Sequence, residues 1–180
     1  MVTRTRMTLT EFRDLPESLE RHELIDGELI VSPTPRYPHQ NATFNAAKLV
    51  ERLAPDGTTV IAPMDVYLIG EEVVQPDVFW VSAGSTRCKL GEDGYWYGAP
   101  DLVVEVLSPS TAGRDRGVKF ELYERAGVRE YWLLDPEAEF LEAYTLAEDT
   151  FKRLGVYGME KPFESPLLGQ KIEIGGIFKR

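Results

Sequence analysis

Apolar residues recur along the chain with two periods, and the change from one to the other divides it into elements. The stretch "HELIDGELIVSP", 22–33, alternates about Asp26-Gly27, a two-residue turn signal that predicts an antiparallel hairpin. Ahead of it, "TLTEF" predicts a short helix capped by Thr8 or Thr10. From His39 to Leu53, Phe44, Ala47, Leu49, Val50 and Leu53 fall at helical spacing before Pro55-Asp56-Gly57, which predicts a helix with those residues inward. Residues 58–82 are rich in β-branched and aromatic side chains and punctuated by Pro63 and Gly70, and they predict three strands: "TTVIAP", "MDVYLIG" and "VVQPDVFWVS". Residues 83–99 hold four glycines and no periodicity, as an exposed loop would.

The stretch "PDLVVEVLSPST", 100–111, reads as a buried central strand that Ser108-Pro109-Ser110-Thr111 breaks and caps. A helix then runs from Ala112 to Ala126 and stops at Gly127, followed by the strand "REYWLLDP", 129–136. Strand, helix and strand in succession form a crossover unit, which requires locally parallel pairing with a flanking helix. "EFLEAYTL" and "TFKRLGVYG" form a second hairpin around Glu148-Asp149. The class is therefore α/β, a mixed sheet flanked by helices with antiparallel hairpins at both ends. One domain is expected over 1–180, its core about 10–145, with 146–180 as peripheral strands and tail.

Composition narrows the function classes. The formal charge of −10 argues against indiscriminate adhesion to nucleic acid or anionic membrane. The single cysteine, Cys88, permits neither an intrachain disulfide nor a cysteine-based zinc site and fits a reducing, cytoplasmic setting. No secretory signal core and no run of about 18 apolar residues is present, so no membrane association is expected.

The chemistry lies in acids that interrupt apolar strands. In the strand 101–107, Asp101, Val103, Glu105 and Leu107 face one way and Leu102, Val104 and Val106 the other. A carboxylate buried there needs a partner charge, a cation or a retained proton. Asp101 shares its face but lies about 13 Å away, too far to share an ion, and reads as a turn residue. Asp77, after Pro76 in a second apolar strand, supplies a nearer acid if the two strands pair. Two such acids suit Mg²⁺ or Mn²⁺, whose shells are completed by water and substrate phosphate. Lys119 returns to the level of Glu105 if its helix folds back over the strand, and Arg114 and Arg116 would then meet a phosphate backbone. Taken singly, each of these residues also fits a plain role: a salt-bridged strand acid, a lysine paired with Asp115, a His39 at the first turn of its helix.

In combination, "QPDVFWV" and "GAPDLVVEVLSPSTAGRDRGVKFELYERAGVREYWLLDP", with the opening "HELIDGELIVSPTP" and His39, resemble the Uma-type "putative restriction endonuclease" family of the PD-(D/E)XK nuclease superfamily. The resemblance spans most of residues 10–145. It implies a restriction-endonuclease-like fold, with Asp77 and Glu105 as metal-binding acids. The superfamily signature places lysine two residues after the acid, where this chain has Leu107, and the resemblance implies that Lys119 has taken over that role. It further implies Mg²⁺- or Mn²⁺-assisted endonuclease hydrolysis of DNA phosphodiester bonds. Weaker candidates are Arg114, Arg116 and His39 toward substrate and Glu28 and Glu23 as an outer acid. Nucleic-acid binding against the acidic net charge would need Arg36, Lys48, Arg114, Arg116 and Lys119 to cluster.

Two rival classes stay open: a non-catalytic interaction or scaffold domain on the nuclease fold, and a hydrolase of small phosphodiesters. A homodimer, with the aromatic 95–97 segment as interface, would suit a nuclease that cuts both strands. Composition does not distinguish these.

Overall fold

The computed structural model describes residues 6–16, 18 and 20–179, so the ends of the expected 1–180 domain lie outside the described residues. The elements are α1 (Leu9–Arg13), β1 (Arg21–Ile25), β2 (Glu28–Ser32), α2 (Tyr37–Leu53), β3 (Thr58–Ile61), β4 (Val66–Tyr67), β5 (Val73–Val74), β6 (Val78–Val81), β7 (Cys88–Leu90), β8 (Trp96–Gly98) and β9 (Leu102–Val106). They continue with α3 (Ala112–Asp115), α4 (Val118–Ala126), β10 (Glu130–Asp135), β11 (Phe140–Ala147), β12 (Thr150–Gly158), β13 (Phe163–Ser165) and β14 (Gln170–Ile172). Two mixed six-stranded sheets result, in the orders β2-β1-β5-β4-β8-β7 and β12-β11-β10-β9-β6-β3, with β13-β14 as a separate hairpin. No described helix is long and apolar enough to cross a membrane.

Both expected hairpins are present, and both turn through residues of positive φ: Asp26 at 50° and Gly27 at 74°, Glu148 at 51° and Asp149 at 61°. Positive φ at both central positions is what a two-residue hairpin turn requires to match the strand twist. The crossover unit also holds, with β9 and β10 paired in parallel from Leu102↔Glu130 to Val106↔Leu134. The alternation read along β9 divides two cores. Leu102, Val104 and Val106 pack with Trp132 and Leu134 against Ala42, Ala46 and Val50 of α2. Val103 and Leu107 pack with Tyr131 and Leu133 against Leu122 and Tyr123 of α4, together with Ile25, Val66 and Val74 of the first sheet. The second sheet thus has a helix on each face, and the face that carries Glu105 looks toward α4 and the first sheet.

The local expectations differ from the structure in several places. "VVQPDVFWVS" is two strands, because Gln75-Pro76-Asp77 carries the chain out of the first sheet (β5) and into the second (β6). Pro76 has no N–H to give a ladder, so the break falls there. Residues 83–99 are not all loop. Cys88–Leu90 and Trp96–Gly98 pair antiparallel, with Trp96 buried and Tyr97 stacked on Tyr67 at 5.0 Å. The 95–97 segment expected as an exposed interface is therefore largely strand. The helix predicted over 112–126 breaks at Arg116-Gly117 into α3 and α4. Phe44 does not face inward: it is 57 % exposed, with the Lys48 ammonium over its ring, and Ala42, Ala46 and Val50 take the buried face. Small residues there let α2 approach the sheet closely, a pattern a count of large apolar residues misses. At the carboxy-terminal end, expected as peripheral, Phe163, Ile172, Ile174 and Ile177 fill the core beneath α2.

This division of faces predicts opposite outcomes for two aromatic residues. Trp132→Ala removes a fully buried side chain stacked edge-on to Phe163 and should cost about 3–5 kcal/mol in urea unfolding. Phe44→Ala should change stability by less than about 0.5 kcal/mol.

Candidate active site

The acids of β9 and β6 meet where the two sheets adjoin. Asp77 immediately precedes β6, and β6 pairs directly with β9 through Val78↔Val104. The two carboxylates are stitched to each other's backbone: Val106 N–H donates to Asp77 Oδ2 at 2.8 Å, and Asp77 N–H donates to Glu105 Oε2 at 3.4 Å. From the first sheet, β1 turns Arg21 and Glu23 toward them, and Gln75 N–H donates to Glu23 Oε1 at 2.9 Å, so the β5–β6 link ties both sheets to the site. From the helical side, Lys119 Nζ lies 2.5 Å from Glu105 Oε1, 3.0 Å from Glu23 Oε1 and 4.0 Å from Asp115 Oδ1. One turn on, the Tyr123 hydroxyl donates to Glu105 Oε1 at 2.6 Å. On the opposite flank, Arg21 Nη1 is 2.7 Å from Asp77 Oδ1 and Nη2 is 3.8 Å from Glu105 Oε2. His39 Nε2, from the first turn of α2, is 3.2 Å from Asp77 Oδ2.

Four buried carboxylates, Glu23, Asp77, Glu105 and Asp115, therefore share two cations, Arg21 and Lys119. The imbalance falls unevenly. Burial opposes ionisation of Asp77, but His39, Arg21 and the Val106 N–H outweigh it and hold the carboxyl below its usual range. Glu23 is likewise held low against its burial by Lys119, Arg21 and the Gln75 N–H. Glu105 goes the other way. Its burial, reinforced by the charges of Asp77 and Asp115, outweighs Lys119 and pushes it up to about 8. Burial also raises Asp115. Lys119 stays charged: burial disfavours its ammonium, but Glu105, Glu23 and Asp115 more than compensate. Glu105 is thus the acid that keeps a proton when no further positive charge is present.

These groups line a cavity of about 20 Å³, room for one water-sized occupant, together with Ser32, Thr111 and Arg114. Of the residues singled out in the sequence, Asp77, Glu105, Lys119, Glu23, His39 and Arg114 converge here. Arg114 reaches the rim, where its Nη2 donates to Ser32 Oγ at 3.3 Å. Arg116 instead pairs with Glu142, and Glu28 lies exposed beside the Asp26-Gly27 turn, at the other end of β2 from Ser32. Arg36 is exposed at the amino-terminal cap of α2, and Lys48 covers Phe44, so the expected five-residue basic face does not assemble. Asp101 accepts from Ser82 N–H at 2.9 Å and pairs with Arg129 at 3.3 Å, the local role expected of it. Arg21 and Tyr123 were not singled out. Both were legible from spacing: Arg21 shares the face of Glu23 two residues away on a strand, and Tyr123 shares the face of Lys119 four residues on along a helix.

A divalent cation fits the donor set in part. Among the described residues no three acids, histidines or cysteines converge to hold an ion. Asp77 and Glu105 do present hard oxygens side by side, with the Arg21 guanidinium against both, and Mg²⁺ is commonly held by one or two carboxylates plus water and phosphate.

Comparisons with known proteins bear on the family and the fold. The family model described as "Uma2: Putative restriction endonuclease" matches residues 9–174. An uncharacterized protein of Synechocystis sp. is 29 % identical over 156 residues, 83 % of this chain and 87 % of that one. A crystal structure of a "putative nuclease belonging to DUF820" from Anabaena variabilis superposes with a TM-score of 0.78 at 20 % identity, covering 96 % of this chain and 97 % of that one.

The geometry predicts that Lys119 is needed to hold the acids together. Lys119→Met leaves the ionised Glu23 without its ammonium and removes the partner of Glu105 and Asp115, and should cost about 3–5 kcal/mol at pH 7 in urea unfolding.

Proposed function

Since the chain belongs to the family described as "Uma2: Putative restriction endonuclease", we propose that it hydrolyses phosphodiester bonds of DNA with a divalent ion held by Asp77 and Glu105. The observation that carries this reading is the pairing of two buried acids from adjacent strands with a lysine set against one of them. A purely structural ion pair needs one acid for each base; this cluster keeps a surplus of acids that a metal ion would balance. Bound there, Mg²⁺ or Mn²⁺ would supply a Lewis acid toward a phosphoryl oxygen and make water a better nucleophile at neutral pH.

The chain's own groups divide the remaining work. Lys119, buried and fixed by Glu105 and Glu23, would act from behind the acids, its ammonium holding Glu105 in place and lending positive potential as charge develops on phosphorus. Tyr123 and the Asp77 N–H orient the two oxygens of Glu105. His39 and the Val106 N–H orient Asp77 through Oδ2 and leave Oδ1 directed toward Arg21. Arg114, half-buried at the rim beside Ser32 and Thr111, is placed to meet a phosphate as the backbone enters. The net charge of −10 makes these few cations the local exception to a repulsive surface. Binding should accordingly be weak and strongly salt-sensitive, with most specificity arising inside the site.

The test is cleavage of supercoiled plasmid and single-stranded DNA with Mg²⁺ or Mn²⁺. The expected result is metal-dependent nicking that Glu105→Gln abolishes and Lys119→Met lowers about 10²–10³-fold, in preparations matched by circular dichroism. An inert wild type, or variants that cut as well as wild type, would favour a scaffold domain, and turnover of small phosphodiesters alone would favour a hydrolase of small substrates.

A further inference from the structure

The two carboxylates at the centre of the site each have one oxygen turned inward and one turned toward Arg21. Asp77 Oδ2 is taken by Val106 N–H and His39, and Glu105 Oε1 by Lys119 and Tyr123. The other two oxygens, Asp77 Oδ1 and Glu105 Oε2, face the Arg21 guanidinium, at 2.7 Å from Nη1 and 3.8 Å from Nη2. These are the oxygens an ion bridging the two acids would take. The guanidinium itself lines the small cavity beside them, and while it lies against these two oxygens an ion bridging both acids would have to displace its charge.

The hold on Arg21 is also incomplete. Of its five donors, one makes a hydrogen bond within 3.5 Å among the described residues, to Asp77, and its Nε is buried without a partner. A guanidinium fixed as permanent structure commonly makes a two-pronged contact to one carboxylate. This one is held by charge, from a side chain 22 % exposed while those of Asp77 and Glu105 are 4 % and 2 % exposed. It lies on the accessible side of the acids, and Lys119, on the far side, is 3 % exposed.

We propose that the Arg21 guanidinium is the resting occupant of the divalent-ion seat between Asp77 and Glu105, an internal competitor that must leave before the ion binds. The inference rests on the reading that these two acids hold an ion. Its consequence is a protein whose affinity for the free ion is held down by its own side chain, so that the site charges with metal more readily when another anion takes the guanidinium. An incoming phosphate is such an anion.

The experiment is a Mn²⁺ titration of the full chain, followed by the paramagnetic resonance signal of the free ion, for wild type, Arg21→Gln, Arg21→Lys and Glu105→Gln. Arg21→Gln removes the competing charge and should bind at least ten-fold more tightly than wild type. Arg21→Lys keeps that charge and should stay within about three-fold of wild type, while Glu105→Gln should lose binding. Binding by wild type that Glu105→Gln removes, with Arg21→Gln no tighter, overturns the competitor and leaves the ion reading intact. Absence of saturable binding in both wild type and Arg21→Gln overturns both. Nitrogen-15 spectra of the arginine side chains in wild type give a measure independent of whether the variants fold: Mg²⁺ should shift the Arg21 Nε resonance, and an ion that binds and leaves it in place contradicts the proposal.

Discussion

A cluster of buried carboxylates larger than the positive charge around it is the constraint on which the site depends. Glu23, Asp77, Glu105 and Asp115 are each 3 % exposed or less, and among the described residues Arg21 and Lys119 are the arginine and lysine paired with them, with His39 beside Asp77. Removing charge from water without full compensation is costly, and the cluster accommodates the deficit by leaving Glu105 inclined to hold its proton. Asp77 and Glu23, each with a cation and a backbone N–H, stay ionised. The acids therefore have distinct characters although all are buried.

The scaffold brings this about by routing the chain. Leaving the first sheet at β5 and entering the second at β6 places Gln75 and Asp77 on the link, one N–H tied to Glu23 and the other to Glu105. The parallel crossover from β9 to β10 lays α4 over the face that bears Glu105, which returns Lys119 to the level of the acid thirteen residues after the strand ends. Hydrophobic burial on both faces of the second sheet holds these backbones in place, so the polar cluster sits on well-packed elements.

Much of this was legible in the sequence because the signals were strong and local. Asp26-Gly27 and Glu148-Asp149 marked hairpins, the alternation along 101–107 separated two faces, and an acid in an apolar strand flagged Glu105. What escaped detection depended on tertiary partners. Gly117 broke a helix whose apolar pattern ran on, and β7 and β8 formed in a glycine-rich stretch because β4 offered an edge to pair with. Arg116, beside the site in sequence, was drawn to Glu142 on β11, whereas Arg21, on a hairpin ninety-eight residues before Lys119, was brought in by the meeting of two sheets.

Glu105 is a carboxylate kept against the interest of stability. Its ordinary value of 4.5 is raised to about 8 in the fold, so it binds its proton more tightly folded than unfolded. That contribution is fully present below about pH 4.5 and is lost as pH rises through about 8. The direct test is urea unfolding of wild type and Glu105→Gln at pH 5, 7 and 9 without metal, since the difference between the two removes the titration of every other group. The variant should gain on wild type as pH rises, by on the order of 1–3 kcal/mol, and be at least as stable at pH 9. A variant several kcal/mol less stable than wild type at pH 9 would contradict this, and would make Glu105 the structural partner of Lys119.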